Sequence, residues 1–157
     1  MKQKIIISIL ILLLIVLIVL LCKSCQTPPQ TADNALEVDP AAQSWQGYQQ
    51  TYRASSGKGI AIPGFSRLSF LADSTAQSVN FYNPQTNDCL FVFLLYVDDT
   101  LLWQSGYCPP GNGYYNIELS EPLQNGEYNG ILEIQCYKPS GEQLNGARVE
   151  FDLIVEE

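Results

Sequence analysis

CLFVFLLYV, Cys89–Val97, is nine residues of apolar side chains on both of the faces between which a strand alternates. It is bounded by Asp88 on one side and by Asp98-Asp99-Thr100 on the other. A run this short, rich in aromatic and β-branched residues, reads as a central strand covered on both sides rather than as a helix. Around it the pattern becomes period two. Downstream, the Asp pair turns the chain into LLWQS, after which Tyr115, Ile117 and Leu119 alternate with polar neighbours. Tyr128, Leu132, Ile134 and Cys136 share one parity, and Val149, Phe151, Leu153 and Val155 point inward against outward Arg148, Glu150 and Asp152. Upstream, SVNFYN alternates at Val79 and Phe81, and RLSFLA at Leu68 and Phe70. Gly, Pro, Asn and Asp separate these runs at short intervals. Seven or eight strands over Gly59–Glu157 predict an all-β sandwich.

LQNGEYNGILEIQC, Leu123–Cys136, refines that expectation. Leu123, Gly126 and Tyr128 are similar to the Leu-x-x-Gly-x-Tyr lead-in to the sixth strand of immunoglobulin-like domains, where the tyrosine hydroxyl bonds backbone at a corner. Antibody domains have Tyr-x-Cys, whereas here Cys136 follows Tyr128 by eight residues. The resemblance therefore implies an immunoglobulin-like or fibronectin-like sandwich without antibody-type membership. In that strand order CLFVFLLYV is third and YNGILEIQC sixth, antiparallel neighbours in one sheet. Cys89 would then lie opposite Cys136, with Cα atoms ~4.5–5.5 Å apart, which makes the pair a disulfide candidate. The alternative is two buried cysteines that act as small apolar residues. Cys108 would stay free in its loop.

Toward the N-terminus the chain changes character. MKQK, residues 1–4, precedes an unbroken apolar run of 18 residues, Ile5–Cys22. As a helix at ~1.5 Å per residue the run covers ~27 Å, close to a bilayer's hydrocarbon thickness. No small-x-small cleavage site follows it, and neither Cys22 nor Cys25 sits in a good lipoprotein context, so an uncleaved anchor is expected over a lipoprotein or a cleaved signal. Lys2 and Lys4 before the span outweigh Lys23 after it, which predicts a cytoplasmic N-terminus and an exported remainder. Cys22 and Cys25 form Cys-x-x-Cys at the membrane edge; free thiols, an interchain bridge or acylation all suit it, since no thioredoxin-like setting is present. Residues 23–58 read as a polar stalk. Within it Asp39-Pro40 has the chemistry of a helix start, and Trp45, Tyr48 and Tyr52 recur at helical spacing, which predicts a short helix over 40–53. Its aromatic stripe would pack on the domain or dock a partner.

Composition excludes several functions. The 157 residues hold no histidine, so Ser–His and Cys–His catalysis and His-ligated metals are ruled out. Eight basic residues against 16 acidic argue against nucleic acid. Zinc is not expected from Cys89, Cys108 and Cys136, whose spacings lack a close ligand pair. Asp88, Asp98 and Asp99 invite a calcium site at one end of the sandwich, but they lack EF-hand spacing and Asp pairs also suit turns. A glycosidase needs two carboxylates flanking a cleft, for which a domain this small has little room. No catalytic residue, metal or cofactor is assigned. GYCPPGNGYY, Gly106–Tyr115, is the most distinctive loop: Pro109, Pro110 and Gly111 stiffen it, and Tyr107 and Tyr114 either project for binding or cover the end of the core.

IAIPGF, ADSTAQSVNFYNP, LLWQSGYCPPG and LNGA, with the anchor-stalk-domain layout, resemble small uncharacterised membrane-anchored proteins of Gram-positive bacteria such as clostridia. The resemblance implies association with integrated conjugative elements. Some of that group carry an RNA-methyltransferase label, yet this chain has no Gly-rich cofactor loop after a buried strand. The expectation is a single-pass membrane protein that presents a non-enzymatic β-domain outside the cell. Its role would be protein–protein interaction or structural support at the envelope, accessory to conjugative transfer by the resemblance. The alternative is a carbohydrate- or peptidoglycan-binding module, and the weakest is an exported hydrolase or RNA-modifying enzyme.

Overall fold

The computed structural model describes residues 36–48, 51–52 and 59–157. The anchor over 5–22, Cys22, Cys25 and the first part of the stalk lie outside the described residues. Among those described there is no helix, and none therefore long and apolar enough to cross a membrane.

Ten strands form in chain order: β1 Gln43–Ser44, β2 Thr51–Tyr52, β3 Ile62–Pro63, β4 Arg67–Leu71, β5 Ala76–Tyr82, β6 Leu90–Val97, β7 Thr100–Gln104, β8 Asn112–Glu118, β9 Gly126–Tyr137 and β10 Gln143–Glu156. They make a five-stranded sheet β4-β10-β9-β6-β7, a three-stranded sheet β1-β8-β5, and a two-stranded ribbon β2-β3. All pairings are antiparallel except β4 with β10, which runs parallel from Arg67↔Asp152 to Leu71↔Glu156. Eight strands fall within residues 59–157, as the alternation of sequence led one to expect.

The core lies between the two larger sheets. Phe91, Phe93, Leu95 and Val97 of β6 meet Phe81 of β5 and Tyr114 of β8, with Phe81 6.2 Å and Tyr114 6.0 Å from Phe93 between ring centres. Phe151 lies against Gly130, its cross-strand partner; a Cβ on Gly130 would sit 2.2 Å from the ring, so glycine is what lets β9 and β10 close there. The other face of β6, Leu90, Val92 and Leu94, is also buried. Its cross-strand neighbours on β9, Tyr137, Gln135 and Glu133, are hydrogen-bonded to one another along the strand. An apolar outer face thus sits beside long polar side chains with apolar stems.

Turn chemistry sets the register. Asp98 and Asp99 both take left-handed φ values, 43° and 66°, as a two-residue hairpin between paired Val97 and Thr100 demands. Tyr128 donates its hydroxyl to the Gln124 carbonyl at 2.9 Å, the corner that Leu123, Gly126 and Tyr128 suggested. Gln77, buried, accepts from Leu71 N–H and donates to the Leu71 and Ser74 carbonyls, closing the β4–β5 turn.

Two expectations about the stalk are corrected. The compact unit runs Asn34–Glu157, so the domain does not begin at residue 59. The helix expected over 40–53 does not form in its described part: residues 43–44 pair with Gly113 and Asn112 of β8. Asp39 still behaves as a cap, with Oδ1 accepting from Ala41 N–H at 2.8 Å and its carbonyl from Ala42 N–H. That local bond serves a turn as well as a helix, and the open ladder of β8 then captured the backbone. Trp45 and Tyr48 consequently share no stripe: Trp45 is buried and Tyr48 is 87% exposed. Tyr52 lies in β2, and its side chain is outside the described residues.

Candidate functional site

The N-terminal segment 36–48 is clasped to the domain by one carboxylate. Asp39 Oδ2 accepts from Gly106 N–H and from the Tyr114 hydroxyl, both at 2.8 Å, while its backbone N–H donates to the Tyr107 carbonyl. Burial pushes the Asp39 carboxyl up, but hydrogen bonds from Ala41, Tyr114 and Gly106 outweigh it and hold the group below its ordinary value. Burial, and then the bond to Asp39, pushes the Tyr114 hydroxyl well above the usual phenol range. A carboxylate so fully engaged is a structural clamp and not a general base.

Beyond the clamp, Trp45 N–H donates to Gly111 O, and the indole stacks on Tyr82 at 4.8 Å and on Tyr115 at 4.5 Å, with planes within 16° and 10°. The Tyr115 hydroxyl accepts from Gln46 N–H at 2.7 Å. Gly47 lies so close to the indole that a Cβ would come within 2.7 Å of it. Trp45 Nε1 is the one buried side-chain polar atom without a partner among the described residues. Beside this stack opens a groove of about 600 Å³, whose walls include Tyr48, Tyr115, Phe65, Arg67 and Asn80. The lining holds five aromatic residues and one arginine, and no carboxylate. Arg67 and Asn80 form no side-chain hydrogen bond or ion pair within the described residues.

Behind the clamp sits a buried amide relay. Asn83 Nδ2 donates to the Cys89 and Cys108 carbonyls at 2.8 and 2.9 Å, and its Oδ1 accepts from Asn87, which in turn bonds both backbone groups of Ala61. IAIPGF, VNFYNP and GYCPPG thus meet through two asparagines. Sequence reasoning missed both; the hint was an Asn-Pro-x-x-Asn in a loop with no obvious solvent-facing role.

The cysteines divide as follows. β6 and β9 are antiparallel neighbours, as expected, but Cys136 is paired with Phe91, so Cys89 lies diagonally from it rather than opposite. Cys108 bridges Phe91 from the other side. All three are buried free thiols. Burial pushes Cys108 and Cys136 up to about 12, and burial followed by the Asp88 charge raises Cys89. Neutral, enclosed thiols are poor nucleophiles.

Of the loop tyrosines, Tyr107 is half-buried against Tyr137 at 5.3 Å, and Tyr114 does not project: it is 2% exposed and edge-on to Trp103 at 5.1 Å. The loop's ring parity follows β8, whose inner face takes Tyr114 and whose outer face takes Tyr115. The groove therefore unites Trp45 and Tyr48 with Tyr115, and leaves Tyr107 and Tyr114 out. The acidic trio also separates: Asp88 precedes β6 and Asp98-Asp99 follow it, ~30 Å apart at ~3.3 Å per residue. Among the described residues no three His, Cys, Asp or Glu side chains are grouped to hold a metal. Compared with family models, curated proteins and solved structures, the chain matches none.

Proposed function

We propose that this chain is a membrane-anchored, non-enzymatic binding module displayed outside the cell, engaging a target at the envelope through the groove beside Trp45. The groove carries the reading. It is a concave, mixed aromatic and polar surface with unengaged donors at Arg67 and Asn80, and its volume falls in the ~300–1,000 Å³ range of ligand sites. The single-pass anchor over 5–22 with its N-terminus in the cytoplasm rests on the apolar run and its flanking lysines.

We read the fold as immunoglobulin-like. Supporting this are the Tyr128 corner and the placing of β6, β9 and β10 side by side as third, sixth and seventh strands of such a domain would be. β1 lies beside β8, where a fourth strand would lie. Domains of this architecture bind through surface loops and edges rather than through a deep cleft. A protein partner at the envelope remains the first expectation from sequence, and the flat rings and carboxylate-free lining favour a carbohydrate as the second.

The test places a photo-crosslinking residue at position 48 of the full chain in its native membrane, with position 99 as control. Recovery of one discrete envelope component from position 48 alone is expected. Equal or absent crosslinking at both positions sinks the reading.

A further inference from the structure

We infer that the Trp45 groove recognises a glycan bearing carboxylate groups; this rests on the binding reading above and names its ligand class. Three observations carry it. The first is charge. From Ser24 onward the chain has 5 basic and 16 acidic residues, net −11, yet the groove lining has no acid and one arginine. Arg67 is exposed and unpaired, so its five N–H donors are available for a bidentate carboxylate.

The second is the donor inventory. Arg67 and the Asn80 amide, both exposed, offer hydrogens, which suits a ligand rich in acceptor oxygens. The third is shape. Tyr48 at 87% exposure and half-buried Tyr115 present aromatic faces, on which the C–H face of a pyranose ring packs. A peptide added as a further strand fits less well. The β5 residues in the groove, Val79 and Asn80, fall in the irregular stretch between the Ser78 and Phe81 pairings, and such irregularities discourage strand addition.

The test titrates the full chain in detergent micelles, by calorimetry, with three probes. These are oligomers alternating N-acetylglucosamine with N-acetylmuramic acid, which carry carboxylates; N-acetylglucosamine oligomers, which do not; and an oligoglutamate peptide. The carboxylated glycan is expected to bind about tenfold more tightly than the neutral one, one charge-assisted contact's worth. Arg67→Gln should erase that ratio, Tyr48→Ala should weaken both glycans by a similar factor, and Asp99→Asn should change nothing. Arg67 and Tyr48 are exposed, so unaltered circular dichroism is expected of both variants. No binding of the carboxylated glycan, or binding indifferent to Arg67→Gln and Tyr48→Ala, overturns the inference. Groove-dependent binding of oligoglutamate alone overturns the glycan while leaving the groove a binding site. Loss of the position-48 crosslinks would instead remove the binding reading itself.

Discussion

Two concave regions of the domain invert what their sequences advertise. The groove beside Trp45 is built from a stretch that reads as stalk, carries no carboxylate, and leaves Arg67 and Asn80 unengaged. The second region, about 550 Å³, is lined by Asp98, Asp99, Glu150 and Asp152 with Arg148, and looks from composition like the place for a cation. Its acids are spent on structure or on solvent. Asp98 accepts from Asn129 N–H at 3.1 Å, and Arg148 pairs with Glu150 at an exposed surface. Charge density marks the solvated face, while the unengaged donors mark the surface with something left to bind.

The largest expected effect tests whether the clasp holds the groove together. Asp39→Ala removes an acceptor from Ala41, Gly106 and Tyr114 at once and leaves the Tyr114 hydroxyl buried without its partner. A loss of ~3 kcal/mol in urea unfolding is expected, with new protease cleavage within residues 36–48. Asp99→Asn at the acidic region should stay within ~0.5 kcal/mol. Equal effects would erase the contrast.

Next is Gly130→Ala. Its Cβ meets the Phe151 ring, which is packed and cannot retreat freely, so ~1–3 kcal/mol should be lost. At the acidic region the sensitive position is thus a glycine, and no aspartate there should match it.

How much of this was legible follows from the range of each signal. Period-two alternation and turn residues are local, and they located β4–β10 and the Tyr128 corner. The Asp39 signal was also local, but Asp capping a turn and Asp capping a helix look alike until β8 supplies the ladder at Gly113 and Asn112, some 70 residues on. Trp45 and Tyr115 come together for the same long-range reason. The choice for Tyr114 between projecting and covering the core stayed open because a Pro- and Gly-rich loop hides that β8 begins at Asn112, which fixes Tyr114 inward. Cys89, just before β6, and Cys136 of β9 do meet through their thiols, but diagonally and not directly opposed, since nothing in sequence sets where β6 starts against the end of β9.

Acid and base should also separate the regions. The Asp39 carboxyl is held below its ordinary 3.8, so its contribution is complete above the unfolded value and lost as pH falls through the lower folded one. Asp39→Asn should therefore flatten the stability profile below pH ~4. At the other extreme Cys108 and Cys136 ionise near 12 in the fold against 9.0 when free. Stability should hold below pH ~9 and decline from there toward ~12, and Cys136→Ala should reduce the slope. Iodoacetamide at neutral pH should label none of the three domain thiols until the chain is unfolded. Ready labelling of the native protein would show that this end of the core opens.

The smallest effect is a gain. Asp98 and Asp99 occupy the two left-handed positions of the β6–β7 hairpin, a conformation in which a Cβ is tolerated at a cost and glycine at none. Asp98 justifies its place through its bond to Asn129, while the Asp99 side chain makes none among the described residues. Asp99→Gly should relieve backbone strain and remove one charge from a crowded acidic surface. Against that, glycine adds freedom to the unfolded chain. The net should be a stabilisation of ~0.5 kcal/mol, visible as a higher urea midpoint at unchanged slope. A loss of stability instead would mean that the Asp99 carboxylate has a partner, and the acidic region would then have to be read as a site rather than a solvated turn.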